Sequence, residues 1–456
     1  MTNKKMDTNM KKTLIGMMAV LMSLSAFAQE TVTVQETRYV GGDISLLPQY
    51  EKYNNGYKDA YGNKISDMIT WFKNDCKWNT FRVRIFVNPQ KKDPAGKTDY
   101  AVCQDLAYVT ALGKRIKEAG AYFMLDFHYS DTWVDAGHIQ APAAWQGADD
   151  ASMADSVAHY TRTVLETLKA AGAAPDLVQV GNEIMYGLCG IKVSPYDDAT
   201  RNANWPAYIA LLKAGCNAVR EELPEAKIII HTDRPTNKSY DFFYYNKLRT
   251  NGVDFDVIGL SYYPFWHLGF NPTASTTVTQ ALNPLVSAIN YLKQQFPDKE
   301  VQIVETAYIF QYWPDDANVD TRSIWPNTVA GQYQFVKDLV DAMLPLENLT
   351  GINYWFPEEA GNGDKGSVLG GWLNRGFWNE NKSSSAHAIN RTAAPVTGQD
   401  PAEVCAPYYL GKFRGEDPEG IEESQDPRVL SQKILRDGQI LIRRNGKTYT
   451  LQGQEL

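Results

Sequence analysis

The stretch "LVQVGNEIMYG", Leu177–Gly187, runs from four apolar-rich residues straight into an Asn–Glu pair. A carboxylate that closes a buried-looking strand is either a cap on a surface turn or a group delivered to a site, and the rest of the chain decides between these. A second stretch of the same build, "VQIVETAY" (Val301–Tyr308), ends its apolar run at Glu305. Comparable β-rich runs occupy Thr37–Ser45, Thr80–Val87, Ala121–His128, Lys227–Thr232, Phe255–Tyr263 and Gly351–Phe356, which makes eight in all. Amphipathic segments with helical spacing lie between them, among them "DLAYVTALGKRIKEAG", "WPAYIALLKAGCNAVREELP", "QALNPLVSAINYLKQQFP" and "GQYQFVKDLVDAMLP". Alternation of this kind argues for parallel βαβ units. Eight units are the number that closes a (β/α)8 TIM barrel, an α/β fold. A doubly wound open sheet is the rival, but no G-x-G-x-x-G follows the first strand.

In such a barrel the C-terminal ends of the strands form the active face. Here those ends carry Asp43, Arg82 with Arg84, Asp126 with His128, Asn182 with Glu183, His231 with Asp233, Tyr263, Glu305 and Trp355. Buried parallel strands ought to read as nearly continuous apolar runs. One polar residue at a strand end is a solvated rim, but eight polar or aromatic ends indicate a site.

Two carboxylates across a barrel mouth suit glycoside hydrolysis, in which one acid protonates the leaving oxygen and one carboxylate attacks or stabilises the anomeric carbon. A retaining mechanism expects the two carboxyl groups about 5–5.5 Å apart. Arg82 suits the role of keeping Glu305 ionised, and Asn182 beside the acid Glu183 is placed to bond a sugar 2-OH. Arg84 reads equally as a salt-bridge partner. The loop "FHYSDTW" (Phe127–Trp133) sets Asp131 and Trp133 beside His128, a ring-stacking side chain next to hydrogen-bonding groups. Asp126 and His128 lack a third partner at metal-ligand spacing, so no metal is expected.

The 456 residues are 44% hydrophobic with 12% aromatics, including 26 Tyr and 11 Trp, and the net charge is −8. The core is ample, and no basic excess points to nucleic acid. Residues 1–28 read as a signal peptide: Lys4, Lys5, Lys11 and Lys12 precede "TLIGMMAVLMSL", and "AFA" ends at Ala28. That apolar run is shorter than the ~20 residues of a membrane span. The expected product is secreted, periplasmic or at the cell surface. Five cysteines without C-x-x-C spacing disfavour zinc and leave room for one or two disulfides. Residues 29–390 are expected to hold the barrel. From Arg391 the chain is rich in Pro, Gly and acids, which reads as a linker. It ends in a small β-hairpin tail around Asn445-Gly446. Cutting after about Asn390 is therefore expected to leave activity intact.

The strings "GGDISLLPQYE", "FRVRIFVNP", "LDFHYSDTWVDAGHIQAPAAW", "VQVGNEI", "SYYPFW" and "VQIVETAY" occur in this order from Gly41 to Tyr308. With them the chain, from about Arg38 to Asn390, resembles the endo-β-1,4-galactanases of glycoside hydrolase family 53, a retaining family of (β/α)8 enzymes. The resemblance implies Glu183 as acid/base and Glu305 as nucleophile. It also places Arg82, His128, Asn182, His231, Asp233, Tyr263 and Trp355 along the cleft. The implied substrate is the β-1,4-galactan or arabinogalactan of pectin side chains, and the enzyme is expected to act as a monomer. Some bacterial members carry an Asp/Gly-rich calcium loop after strand seven. This chain has "IFQYWPDDANVD" there, which does not support calcium, and no cofactor is expected. The competing readings are a mannanase or cellulase of the same clan and a non-catalytic polysaccharide-binding barrel.

Overall fold

Eight parallel strands close on themselves in the computed structural model. The structure describes residues 37–53, 55–89, 92, 96, 99–196, 199–361, 374–381, 383, 385–415, 431–436, 439–444 and 447–450. The strands are β1 (Tyr39–Asp43), β2 (Thr80–Ile85), β3 (Tyr122–Phe127), β4 (Leu177–Val180), β5 (Lys227–Thr232), β6 (Val257–Tyr262), β7 (Glu300–Thr306) and β8 (Leu349–Trp355). Each pairs with its neighbours in sequence, and β8 returns to β1 through Asp43↔Trp355. The expected (β/α)8 TIM barrel is the fold. The N-terminal leader reading, residues 1–28, lies outside the described residues.

Helices α1 (Met68–Asn74), α2 (Leu106–Glu118), α3 (Asp150–Ala170), α4 (Trp205–Glu222), α5 (Lys238–Thr250), α6 (Val278–Gln295) and α7 (Val329–Met343) follow β1 to β7 in turn. Local chemistry starts them: Asp105 caps α2 by accepting from Tyr108 N, and Asp149 caps α3 by accepting from Ser152 N. Thr277 and Gln280 make a reciprocal capping box on α6. Inside the barrel, Tyr39, Met124, Leu177, Ile229, Val257 and Val304 pack together in a buried cluster. The larger apolar core includes helix residues such as Val109, Leu112, Leu165 and Leu339.

The eighth helix lies where a linker was expected. After β8 the chain returns through a turn at Pro401–Glu403 into α8 (Ala406–Leu410) and a tight turn at Gly411–Arg414. Cys405, Leu410 and Phe413 are buried there. Trp78 Nε1 donates to Pro407 O at 2.9 Å, Tyr333 Oη to Ala402 O at 3.0 Å, and Arg38 Nη1 to Phe413 O at 3.2 Å. A helix of five residues is too short to show periodicity, and the Pro/Gly-rich approach to it hides it further. Residues up to 414 therefore belong to the barrel.

Beyond them, β9 (Ser431–Arg436), β10 (Gln439–Arg444) and β11 (Lys447–Thr450) form an antiparallel sheet. The expected hairpin is β10–β11, and its Asn445-Gly446 turn lies outside the described residues. All five cysteines are unpaired, and Cys76, Cys189, Cys216 and Cys405 are buried. Among the described residues no helix is long and apolar enough to cross a membrane.

Candidate active site

Arg82 sits inside the mouth of the barrel, 1% exposed, and binds carboxylates from three strands. Its Nη1 lies 2.6 Å from Asp43 Oδ2, and its Nη2 lies 2.9 Å from both Asp126 Oδ2 and Glu305 Oε1. Nη2 also donates to Asn182 Oδ1 at 2.8 Å. Registers Asp43↔Arg82 and Arg84↔Asp126 set the side chains of β1, β2 and β3 at this level. One buried cation thus gathers the polar ends of β1, β3, β4 and β7.

Glu305 reaches this cluster because β7 is irregular. Ile303 pairs with Leu260 and Glu305 with Ser261, so Val304 is an extra residue between them. Strict alternation would send Glu305 away from the barrel axis when Val304 faces the interior cluster. The bulge re-aims it, so both residues reach the interior. Tyr263 Oη then donates to Glu305 Oε2 at 2.9 Å. Burial pushes the Glu305 carboxyl up to about 7, against the lowering by Arg82 and Tyr263.

Glu183 is delivered by a strained turn. Its φ and ψ are both 48°, a left-handed conformation that a non-glycine residue rarely adopts. It follows Gly181, whose φ is 92°. Burial, then Glu305 and Asp233, hold its carboxyl well above the usual carboxylate range. Two carboxyl groups whose surroundings separate their titration are the arrangement of an acid and its ionised partner. Glu305 has a cation and a phenol donating to it, so it ionises first.

The match to the glycosyl hydrolase family 53 model covers residues 39–390. The chain belongs to glycosyl hydrolase family 53. It is 32% identical over 362 residues to the arabinogalactan endo-β-1,4-galactanase of Cellvibrio japonicus, covering 76% of this chain and 87% of that protein. Identity to the corresponding enzyme A of Emericella nidulans is 30%, covering 76% and 93%. Among solved structures, a fungal β-1,4-galactanase superposes with TM-score 0.60 at 25% identity, covering 77% of this chain and 97% of that one. The family 53 catalytic domain of Ignisphaera aggregans shares the fold with TM-score 0.65 at 24% identity, over 85% and 98%.

Within this family 53 hydrolase the expected residues divide into groups. Glu183, Glu305, Arg82, Asp43, Asn182, His231 and Tyr263 meet around the two carboxyls, His231 by accepting from Glu183 N at 3.3 Å. His128 turns Nε2 to Asp126 Oδ2 at 3.2 Å and accepts from Val134 N at Nδ1. Asp233 is bonded to Arg234 at 3.2 Å through Oδ2, and burial pushes its carboxyl up to about 6. Trp133 and Trp355 lie with ring centroids 6.4 Å apart, and Arg84 backs the Trp133 ring at 4.3 Å.

Asp131 is buried in the loop after β3. Its two oxygens accept from Asn88 N and Ala143 N, which ties two loops together. Gln179, Ser261 and Arg375 were missed. The first two are polar residues buried within β4 and β6, where parallel strands call for apolar side chains. That mismatch was the signal that could have found them. Arg375 lies 5.5 Å from the Trp355 ring and 5.6 Å from Tyr263, on a segment without regular structure. Among the described residues no three His, Cys, Asp or Glu side chains group as a metal ion needs.

Proposed function

We propose that this family 53 enzyme is a retaining endo-β-1,4-galactanase acting on the galactan of pectin side chains, with Glu305 as nucleophile and Glu183 as acid/base. The observation that carries the reading is the unequal environment of the two carboxyls, with Arg82 and Tyr263 on Glu305 and burial with neighbouring anions around Glu183. The names of the relatives favour galactan.

In the first step the Glu305 carboxylate attacks the anomeric carbon. The bond to the leaving oxygen breaks, and that oxygen takes the Glu183 proton. In the second step Glu183, now a carboxylate, takes a proton from water, which displaces Glu305 and restores the configuration. Asn182 donates one amide N–H to Val134 O at 2.7 Å and has a second N–H to offer the sugar 2-OH. Trp133 and Trp355 supply ring faces for the sugar. The leader at residues 1–28 supports export of the mature enzyme from Gln29, which N-terminal sequencing of secreted protein tests.

Reducing-end release on galactan, mannan and glucan, with ¹H NMR of the first anomer formed, tests the function. Preferential release from galactan as the β-anomer is the expected result. Preference for mannan or glucan, or an α-anomer, would refute the substrate or the stereochemistry respectively.

A further inference from the structure

Arg375 lies after β8 in a segment outside any helix or strand, yet its backbone is held on both sides. Its N–H donates to Glu359 Oε2 at 2.6 Å, and its carbonyl accepts from Tyr354 Oη at 2.7 Å and Gln332 Nε2 at 2.9 Å. The segment runs close against the chain that leaves β8, since a Cβ added at Gly376 would lie 2.0 Å from Glu359 O. It is also tied to the loop after β7. Phe310 N donates to Asn374 O at 3.2 Å, and the Glu380 carboxylate accepts from Asn374 Nδ2 at 2.6 Å and from Tyr312 Oη at 3.2 Å. A backbone fixed in this way directs the Arg375 side chain to one place. Arg375 is 1% exposed, and its guanidinium carbon lies 5.6 Å from the ring centroids of Tyr263 and Phe265, 5.2 Å from Trp266 and 5.5 Å from Trp355. Each distance is within the ~6 Å over which an aromatic face attracts a cation. Burial lowers the guanidinium, but an arginine stays charged. Of the four rings, Tyr263 is the one joined to the chemistry, because its Oη donates to Glu305 Oε2 at 2.9 Å. Arg375 and Glu305 therefore meet one side chain, the cation at its ring and the carboxylate at its hydroxyl.

We propose that Arg375 is a positioning residue that acts through Tyr263: its charge against the phenol ring strengthens the O–H bond to Glu305 and keeps that carboxyl ionised. The inference rests on Glu305 being the nucleophile. A cation beside a phenol favours negative charge on the phenol oxygen, so the hydroxyl becomes a stronger donor. Water is excluded around the buried guanidinium, and its field on the ring is correspondingly less screened. No bond forms or breaks at Arg375. When Glu305 attacks the anomeric carbon its charge is consumed, and when the glycosyl-enzyme breaks down the charge returns to a carboxylate that Tyr263 already bonds. The charged and titratable groups facing Glu305 are Arg82 from β2, Asp126 from β3, Asp43 from β1, Tyr263 after β6 and Glu183 after β4. Those facing Tyr263 are Glu305, Arg375, Glu183 and His267. Arg375 itself faces Tyr263, Glu359 after β8, Tyr354 on β8 and Asp316 in the loop after β7. Burial and Glu305 raise the Tyr263 phenol and Arg375 opposes them, which agrees with the geometry.

The test is the pH profile of kcat/KM on galactan for Arg375→Met, alone and combined with Tyr263→Phe, with circular dichroism to establish folding. Loss of the cation weakens the hold on the ionised carboxyl, so the acid limb moves up by about half a pH unit in the single variant. In the Tyr263→Phe background the limb is already raised, and Arg375→Met moves it no further, because the two changes break one coupled unit. Arg375→Lys keeps the charge and returns the limb toward its original position, which a purely structural role would not do. If the methionine variant fails to fold, Arg375→Gln is measured against the same expectation. A limb that stays in place or moves down in the folded single variant overturns the inference. An equal shift with and without the Tyr263 hydroxyl also overturns it. Tyr263→Phe alone separates the two claims. If it leaves the acid limb unmoved, Glu305 is not the group titrating there and the nucleophile reading fails. If it raises the limb while Arg375→Met does not, only the role of Arg375 fails.

Discussion

Arg82 decides how three buried carboxylates coexist in one barrel mouth. Asp43, Asp126 and Glu305 would repel one another in a low dielectric, and the shared guanidinium offsets that cost. Arg82→Met removes the cation and leaves the anions, so it is expected to cost about 3–5 kcal/mol in thermal unfolding. Because Arg82 lowers the Glu305 carboxyl, its loss raises that carboxyl further, and the acid limb of kcat/KM moves to higher pH. A limb that moves down would mean that Glu305 is not the group titrating there. The two glutamates are told apart by azide rescue on an aryl β-galactoside with a good leaving group. In Glu305→Ala azide occupies the vacated nucleophile position and gives an α-glycosyl azide. In Glu183→Ala it attacks the glycosyl-enzyme and gives the β-product. Exchange of the two outcomes would exchange the roles.

At the level of single elements, the turn after β4 shows what the sequence made plain and what it hid. The Asn–Glu pair at a strand end was readable, since a buried strand has no local use for it. The strain was not, because nothing in "VGNEI" requires Glu183 to be left-handed. Tyr208 Oη holds the turn by donating to Ile184 O at 2.7 Å, and Tyr244 Oη lies 2.5 Å from Tyr208 Oη. The bulge in β7 was equally hidden, because "VQIVET" reads as an unbroken strand while its pairing slips by one residue. Gly181 makes the turn possible: at its φ of 92° an added Cβ would lie 2.6 Å from Ile184 Cγ2. Gly181→Ala is therefore expected to cost about 1–3 kcal/mol and to lower kcat more than it raises KM. A variant with unchanged unfolding temperature and unchanged kcat would show that the turn tolerates a side chain and carries no strain of use to the site.

Over the whole molecule, eight helices must cover eight strands, and that requirement reaches past residue 390, where the family match ends. Without residues 402–414, α7 would lose the helix packed on it and β1 the turn packed on it. Phe72 and Trp78 stack at 4.2 Å between centroids, and Trp78 is bonded to Pro407 O. Tyr409 Oη reaches Asp341 Oδ1 on α7 at 2.6 Å. Ending the chain after Asn390 would bare Trp78 and Cys76 and delete the buried Leu410 and Phe413. Each of those two deletions forfeits about 1.5–3 kcal/mol of apolar burial. Ending it after Gly415 removes none of these contacts. The longer truncation product, 29–415, is expected to unfold at the temperature of the mature chain and to cleave galactan at its rate. The shorter one, 29–390, is expected to unfold many degrees lower or to be recovered insoluble. Thermal unfolding and galactan assays on the two products check this directly. If 29–390 is as stable and active as 29–415, α8 is dispensable and the barrel closes its helical ring without it.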